Sequence, residues 1–260
     1  MIRALLWDVD GTLAETERDG HRVAFNLAFA AAGVPWRWSE ARYGQLLAVA
    51  GGRERLLYDM QGQPAAPATG AARAQLAAQI HRLKNQHYAD IVRTGALPLR
   101  AGVAELIDEC LGARVSLGIV TTTSRANLEA LLACHLGEAW RSKFAVTVCA
   151  EEAARKKPDP QAYLVALAAL DLRAEEAVAL EDSAAGVEAA RRAGVPIVLT
   201  RSFYFSAVAG EGTLAAGPSL GQTRGWQPPA TVAATRVTLG QIARWHADAR
   251  RARDGVLRVS

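Results

Sequence analysis

The chain has 260 residues, 50% of them hydrophobic and 22% charged, with a formal net charge of +4 at pH 7. These ordinary globular values exclude intrinsic disorder and collagen-like repeats over most of the chain, and no run of about 18 uncharged apolar residues is present to form a membrane-spanning helix. The positive balance suits anionic ligands in general; no nucleic-acid-binding motif or aromatic interleaving accompanies it, and Arg244, Arg250, Arg251 and Arg253 read as a solvated helix end.

Residues 4–9 (ALLWDV) form an apolar run ending in acidic residues, the pattern of a strand buried in a parallel sheet. Four similar runs lie at 115–121, 144–149, 177–180 and 195–200. Helical patterns at 102–111, 127–136, 160–170 and 183–193 separate them. Strands alternating with helices predict an α/β fold with a Rossmann-like parallel sheet covered on both faces. Because the first strand pattern begins near Arg3, we expect no signal peptide and a cytoplasmic protein. The three cysteines, Cys110, Cys134 and Cys149, have no metal-ligand spacing and are expected to be reduced, buried thiols.

One interval breaks the alternation. Between Glu15 and Leu97 only helical patterns occur, including an amphipathic stretch at 21–33 that ends at a Gly and a long one at 70–92. We therefore expect a helical insert at 15–97, acting as a lid, and a core built from 1–14 and 98–260. The stretch 203–235, rich in Gly, Pro, Ser and Thr, reads as a long surface loop, and 237–252 as a last helix.

The chemistry-bearing residues fall at strand ends, where parallel sheets bind ligands. Asp8 and Asp10 in DVDGT place two carboxylates on one side of an extended chain beside a Gly that permits a sharp turn. Close like charges favour one ionised nucleophile and one proton carrier, unless a cation is bound. Alone, the pair would read as a solvated turn. Thr121 ends the second strand and Thr122, Thr123 and Ser124 follow it, where a hydroxyl and free N–H groups suit an anionic oxygen or simply cap a helix. Lys157 in KKPDP is aimed by flanking prolines, and Glu181 and Asp182 can complete an oxygen-ligand Mg²⁺ site with Asp8.

Together, in this order, DVDGT, Thr121, Lys157 and the Glu181–Asp182 pair closely resemble the four motifs of the haloacid dehalogenase superfamily of phosphohydrolases, over about residues 1–200. The resemblance implies a helical cap at 15–97. It also implies that Asp8 attacks phosphorus to form an aspartyl-phosphate and that Asp10 is the acid and then the base. Mg²⁺ would be held by Asp8, the Asp10 carbonyl, Glu181 and Asp182; Thr121 and the Thr122 N–H would hold phosphate oxygens, and Lys157 would bridge phosphate and Asp8.

The hinge TLAETERDGH, the tryptophans of VPWRW, GGRER and IHRLK look most like the CbbY group. That resemblance implies a Calvin-cycle sugar-bisphosphate phosphatase acting on xylulose 1,5-bisphosphate, an inhibitory by-product of Rubisco, to give xylulose 5-phosphate. The substrate-binding residues it implies are Glu17, His21, Gly52, Arg53, Lys84, Thr122, Arg125 and Asn127. Arg53 and Lys84 would meet a second phosphate, or could equally lie on a solvated helix face. A mutase like β-phosphoglucomutase and a phosphoglycolate phosphatase are the alternatives. We expect a monomer with a small-molecule substrate and no nucleic-acid or membrane partner. Two departures stand out: an extra residue near Asp19–Gly20, expected to loosen the start of the cap helix, and the 203–235 stretch.

Overall fold

The computed structural model describes residues 1–231 and 234–257, with side chains to residue 252. Strand β1 (Ala4–Trp7) is buried at all positions, as an unbroken apolar run requires of a strand with partners on both edges. The other predicted strands are β2 (Ser116–Val120), β3 (Val146–Val148), β4 (Ala177–Glu181) and β5 (Ile197–Thr200). With a sixth strand, β6 (Ala215–Gly217), they form one parallel sheet in the order β3-β2-β1-β4-β5-β6.

Alternate residues of β1 face opposite ways. Leu5 and Trp7 join a cluster with Ile107, Leu128 and Trp140, supplied by α5 (Val103–Gly112), α6 (Arg125–Leu136) and the turn that follows. Ala4 and Leu6 join a second with Tyr163 and Ala189, supplied by α7 (Gln161–Leu170) and α8 (Ala184–Arg192). Gly118 of β2 makes room for the side chains of both flanking strands; a Cβ there would sit 2.8 Å from Leu6 Cδ2 of β1 and Val146 Cγ1 of β3.

The insert has a hydrophobic centre of its own. Helices α1 (Arg22–Ala31), α2 (Glu40–Leu46), α3 (Gly52–Asp59) and α4 (Gly70–Arg93) enclose Phe25, Phe29, Trp36, Trp38, Tyr43 and Leu56. The paired tryptophans are core: Trp38 packs edge-on to Phe29 at 4.9 Å and its indole N–H donates to buried Asp59 at 2.7 Å. The extra residue near Asp19–Gly20 does not loosen the helix start. It is absorbed as one turn of π-helix at Glu17–His21 that runs directly into α1. Gly20 permits close packing there, because a Cβ would lie 2.7 Å from Leu97 Cδ1.

Two further expectations are corrected. The 203–235 stretch is not a surface loop, although residues 232 and 233 lie outside the described set. It contributes β6, which extends the sheet beside β5, and it buries Leu214, Leu220 and Trp226. Trp226 stacks on Trp245 of the last helix, α9 (Leu239–Leu257), with ring centroids 5.1 Å apart. Gly217 in β6 faces Trp226, and a Cβ there would fall 2.2 Å from the indole. We expect Gly217→Ala to cost about 1–3 kcal/mol by overpacking; an unchanged urea midpoint would refute that packing argument. Second, only Cys110 and Cys149 are buried; Cys134 is exposed near the end of α6. At the chain end Arg244 donates to Thr231 Oγ1 at 2.7 Å and Arg251 pairs with Asp248, while the Arg253 side chain lies outside the described residues.

Candidate active site

Because Trp7 of β1 pairs with Leu180 of β4 in a parallel ladder, the residues that follow, Asp8 and Glu181–Asp182, emerge side by side at the carboxyl end of the sheet. Lys157 arrives from the loop before α7 and is buried between them. Its ammonium donates to Asp8 Oδ1 at 2.7 Å, Glu181 Oε1 at 2.6 Å and the Val120 carbonyl at 2.8 Å, which uses all three protons. Tyr163 donates to the same Glu181 oxygen at 2.5 Å. Burial opposes the Lys157 charge, but Asp8 and Glu181 outweigh it and push the ammonium pKa up. Burial raises the Asp8 carboxyl to about 7 despite Lys157, with Glu181 adding repulsion. Burial and the Asp8 charge likewise hold Asp182 well above the usual carboxylate range.

Asp8, Glu181 and Asp182 can bring three carboxylate oxygens within 4.8 Å of one another. Three buried acids face one lysine, so the cluster carries surplus negative charge. Its donors are all hard oxygens, which fits Mg²⁺ by chemistry and by charge. Glycines make the room: a Cβ on Gly11 would fall 2.0 Å from Asp182 Oδ2, and one on Gly186 would fall 1.8 Å from Glu181 Oε2. Gly11 also has φ +87°, a conformation that Gly adopts without strain.

Asp10 is turned toward the cap. Its Oδ1 accepts from Thr16 Oγ1 at 2.5 Å and from His21 Nε2 at 2.9 Å. Burial would raise this carboxyl, but His21, Thr16 and Lys84 together hold it at about 2. The π turn thus delivers His21 to Asp10, where its ring stacks on Tyr88 at 4.3 Å. Glu17, one turn earlier, accepts from Tyr43 at 2.5 Å, and Arg55 donates to the Tyr43 oxygen at 2.8 Å.

A cavity of about 340 Å³ runs from Asp10 and His21 past Lys84, His81, Gly52 and Arg53, with Thr122 and Asn127 on the core side. A second, of about 380 Å³, opens on Asp8, Lys157 and Asp182. Both are lined by Asp10, Glu17, Arg55 and Thr122, so they are two arms of one cleft. Lys84 is buried, with its ammonium 5.0 Å above the Tyr88 ring and 5.5 Å from Phe25. Burial lowers its pKa to about 8 and that of His81 to about 4.

Most of the sequence-predicted residues are therefore brought together. Three are not at the cleft surface. Glu181 is fully buried against Lys157 and lines neither arm. Arg125 pairs with Glu152 at 2.7 Å and lines neither arm. Thr121 is buried just beneath Thr122, accepts the Thr123 N–H at 3.1 Å and keeps its own O–H to donate. Sequence reasoning passed over Tyr43, Arg55, His81 and Ser202. Only Ser202 carried a signal, a hydroxyl two positions past a strand end; the cap residues depend on helix orientations that no local pattern encodes.

A model of the haloacid dehalogenase-like hydrolases matches residues 2–194. The chain is 42% identical over 247 residues to the plasmid-borne protein CbbY of Cupriavidus necator, spanning 94% of this chain and 97% of that one. The crystal structure of a CbbY mutant from Rhodobacter sphaeroides in complex with xylulose 1,5-bisphosphate superposes with a TM-score of 0.79 at 40% identity, over 86% of this chain and 97% of that one. A β-phosphoglucomutase from Clostridium difficile matches with a TM-score of 0.70 at 17% identity, over 95% and 98%, a likeness of fold alone.

Proposed function

The chain belongs to the haloacid dehalogenase-like hydrolases and within them to the CbbY type, a sugar-phosphate phosphatase, and we propose that it converts xylulose 1,5-bisphosphate to xylulose 5-phosphate by removing the C1 phosphate. The observation that carries this reading is the two-armed cleft. One arm holds the Asp8–Lys157 pair, and the other is walled by buried Lys84 with Arg53 at its edge. Such a cleft suits a sugar with a phosphate at each end.

Asp8 attacks the phosphorus of the C1 phosphate, forming an aspartyl-phosphate as the C1 oxygen departs. Lys157, already bonded to Asp8, supplies a fixed positive charge beside the phosphate. Thr122, on the cleft surface, would meet the phosphate oxygens from the end of β2, and Thr121, buried beneath it, keeps a hydroxyl proton to donate. Asp10 supplies the proton to the C1 oxygen and later removes one from water. Both of its hydrogen bonds fall on Oδ1, which leaves Oδ2 to carry that proton. Asp10 is ionised in the free protein; a phosphate dianion arriving beside it raises its pKa, so its proton comes with substrate. The residues that would hold Mg²⁺ are Asp8, Glu181 and Asp182, with the Asp10 carbonyl. When bound, the ion neutralises charge on nucleophile and phosphate.

The test is phosphate release in Mg²⁺ from xylulose 1,5-bisphosphate, ribulose 1,5-bisphosphate, phosphoglycolate and β-glucose 1-phosphate. Marked preference for the first supports the proposal. Unselective release would sink the substrate assignment, and isomer formation without phosphate release would favour a mutase.

Lys84 gives this reading a pH signature. With its pKa lowered to about 8, it is charged at pH 7 and loses its charge as pH rises through about 8. We expect KM for the bisphosphate to climb above that pH while kcat is little affected. In Lys84→Met, KM should be high throughout and lack the climb; a climb that persists would assign it to another group.

A further inference from the structure

One residue past the end of β5 the chain carries Ser202, Phe203 and Tyr204, which reach three different parts of the molecule. Ser202 is buried, 6% exposed, and its hydroxyl donates to Asp182 Oδ2 at 2.5 Å. Gly11 closes the other side of that oxygen, since a Cβ there would meet both Asp182 Oδ2 and the Ser202 Cβ. One oxygen of Asp182 is thus committed, and the other remains for a cation.

Phe203 turns to the start of the insert. Its N–H donates to Glu15 Oε2 at 3.3 Å, and the Arg18 guanidinium lies 4.5 Å over its ring. Tyr204 goes further and packs on the hydrophobic centre of the cap. Its ring centroid is 5.9 Å from that of Tyr43, and a Cβ on Gly44 would sit 3.0 Å from its edge. Tyr43 is the residue that holds Glu17 and Arg55 in the cleft. The same short segment therefore touches a candidate cation ligand, the hinge and the cap.

We propose that Ser202 is a positioning residue for the cation site, and that Phe203 and Tyr204 tie its placement to the seating of the cap. The inference rests on the reading of Asp182 as a cation ligand. A hydroxyl bonded to a ligating carboxylate fixes its orientation, and such partners govern metal affinity strongly. Ser202 and the ring seated on the cap are only two positions, about 7 Å of chain, apart, so the cap contact bears on the serine with little slack. A cap that sits correctly then sharpens the cation site before any substrate bond is touched.

The experiment titrates Mn²⁺ into metal-free protein in the absence of substrate, following free Mn²⁺ by electron paramagnetic resonance. Ser202→Ala should weaken binding by about 10- to 100-fold, and Ser202→Thr, which keeps the hydroxyl, should restore most of it. Tyr204→Ala, remote from the carboxylates, should weaken binding by about 2- to 30-fold. The double variant should bind no more weakly than Ser202→Ala alone, because both losses pass through one hydrogen bond. Wild-type affinity in either single variant, or losses that multiply in the double variant, would overturn the proposal. Thermal melting checks folding; if Ser202→Ala is unfolded, Gly44→Ala, whose methyl would press on the Tyr204 ring at 3.0 Å, must weaken Mn²⁺ binding or the coupling is refuted. If the wild type itself binds no Mn²⁺, the reading of the carboxylates fails, whereas normal binding with an indifferent Ser202 removes only this inference.

Discussion

Asp8→Asn should abolish phosphate release, lowering kcat by at least about 10³-fold, because the amide cannot become the acyl phosphate. The fold should survive. Lys157 keeps Glu181 and the Val120 carbonyl as partners, and the substitution removes a charge that burial and Glu181 disfavour. The pH dependence of stability provides a second readout. The metal-free Asp8 carboxyl is raised to about 7 from an unfolded value near 3.8. Folding therefore favours its protonated form, and the stability this contributes is complete below pH 3.8 and lost as pH rises through about 7. That segment of the metal-free stability profile should be missing in Asp8→Asn. Residual turnover near the wild-type rate would reassign the nucleophile.

Lys157→Met should damage both stability and turnover. It strips the only basic partner from Asp8 and Glu181 among the described residues and leaves two buried carboxylates facing each other. Breaking a buried ion pair from one side costs about 3–5 kcal/mol. Urea denaturation of the metal-free variant should show this loss, and added Mg²⁺ should recover part of it. Lys157→Arg should rescue poorly, because a planar guanidinium cannot direct three bonds of 2.6–2.8 Å from one nitrogen. A stable, active Lys157→Met protein would refute the charge argument for the whole cluster.

The parts of the fold legible in the sequence are those whose signal is local. β1, β2, β4 and β5 are continuous apolar runs because both of their faces are covered, and the polar residues that end them mark the rim of the candidate active site. The Ala-Ala-Gly of β6 has no β-branched or aromatic residue and too few positions to show a period; it is a strand because β5 presents an edge and Trp226 covers its glycine. Lys84 was readable as a residue type but not as a buried ammonium between two rings, since α4 is polar overall and its orientation comes from packing on α1. Arg53 drew attention over Arg55, yet Arg55 is the buried one that donates to Tyr43. The inserted residue at Asp19–Gly20 was legible as an irregularity, while its form, a π turn that brings His21 to Asp10, depends on the fit of Gly20 against Leu97.

The strand order also has a consequence for how the chain is made. β1 leads into Asp8, the proposed nucleophile, yet its two sheet partners are β2, which starts at Ser116, and β4, which starts at Ala177. Synthesis at about 5–20 residues per second leaves β1 without either neighbour for several seconds, and without the second for roughly ten seconds or more. Meanwhile the insert, with its own hydrophobic centre, emerges whole. An apolar strand waiting with two open edges invites wrong pairing or chaperone capture. A pulse-labelled nascent chain stalled before β4 should therefore hold a protease-resistant insert attached to a cleavable first strand.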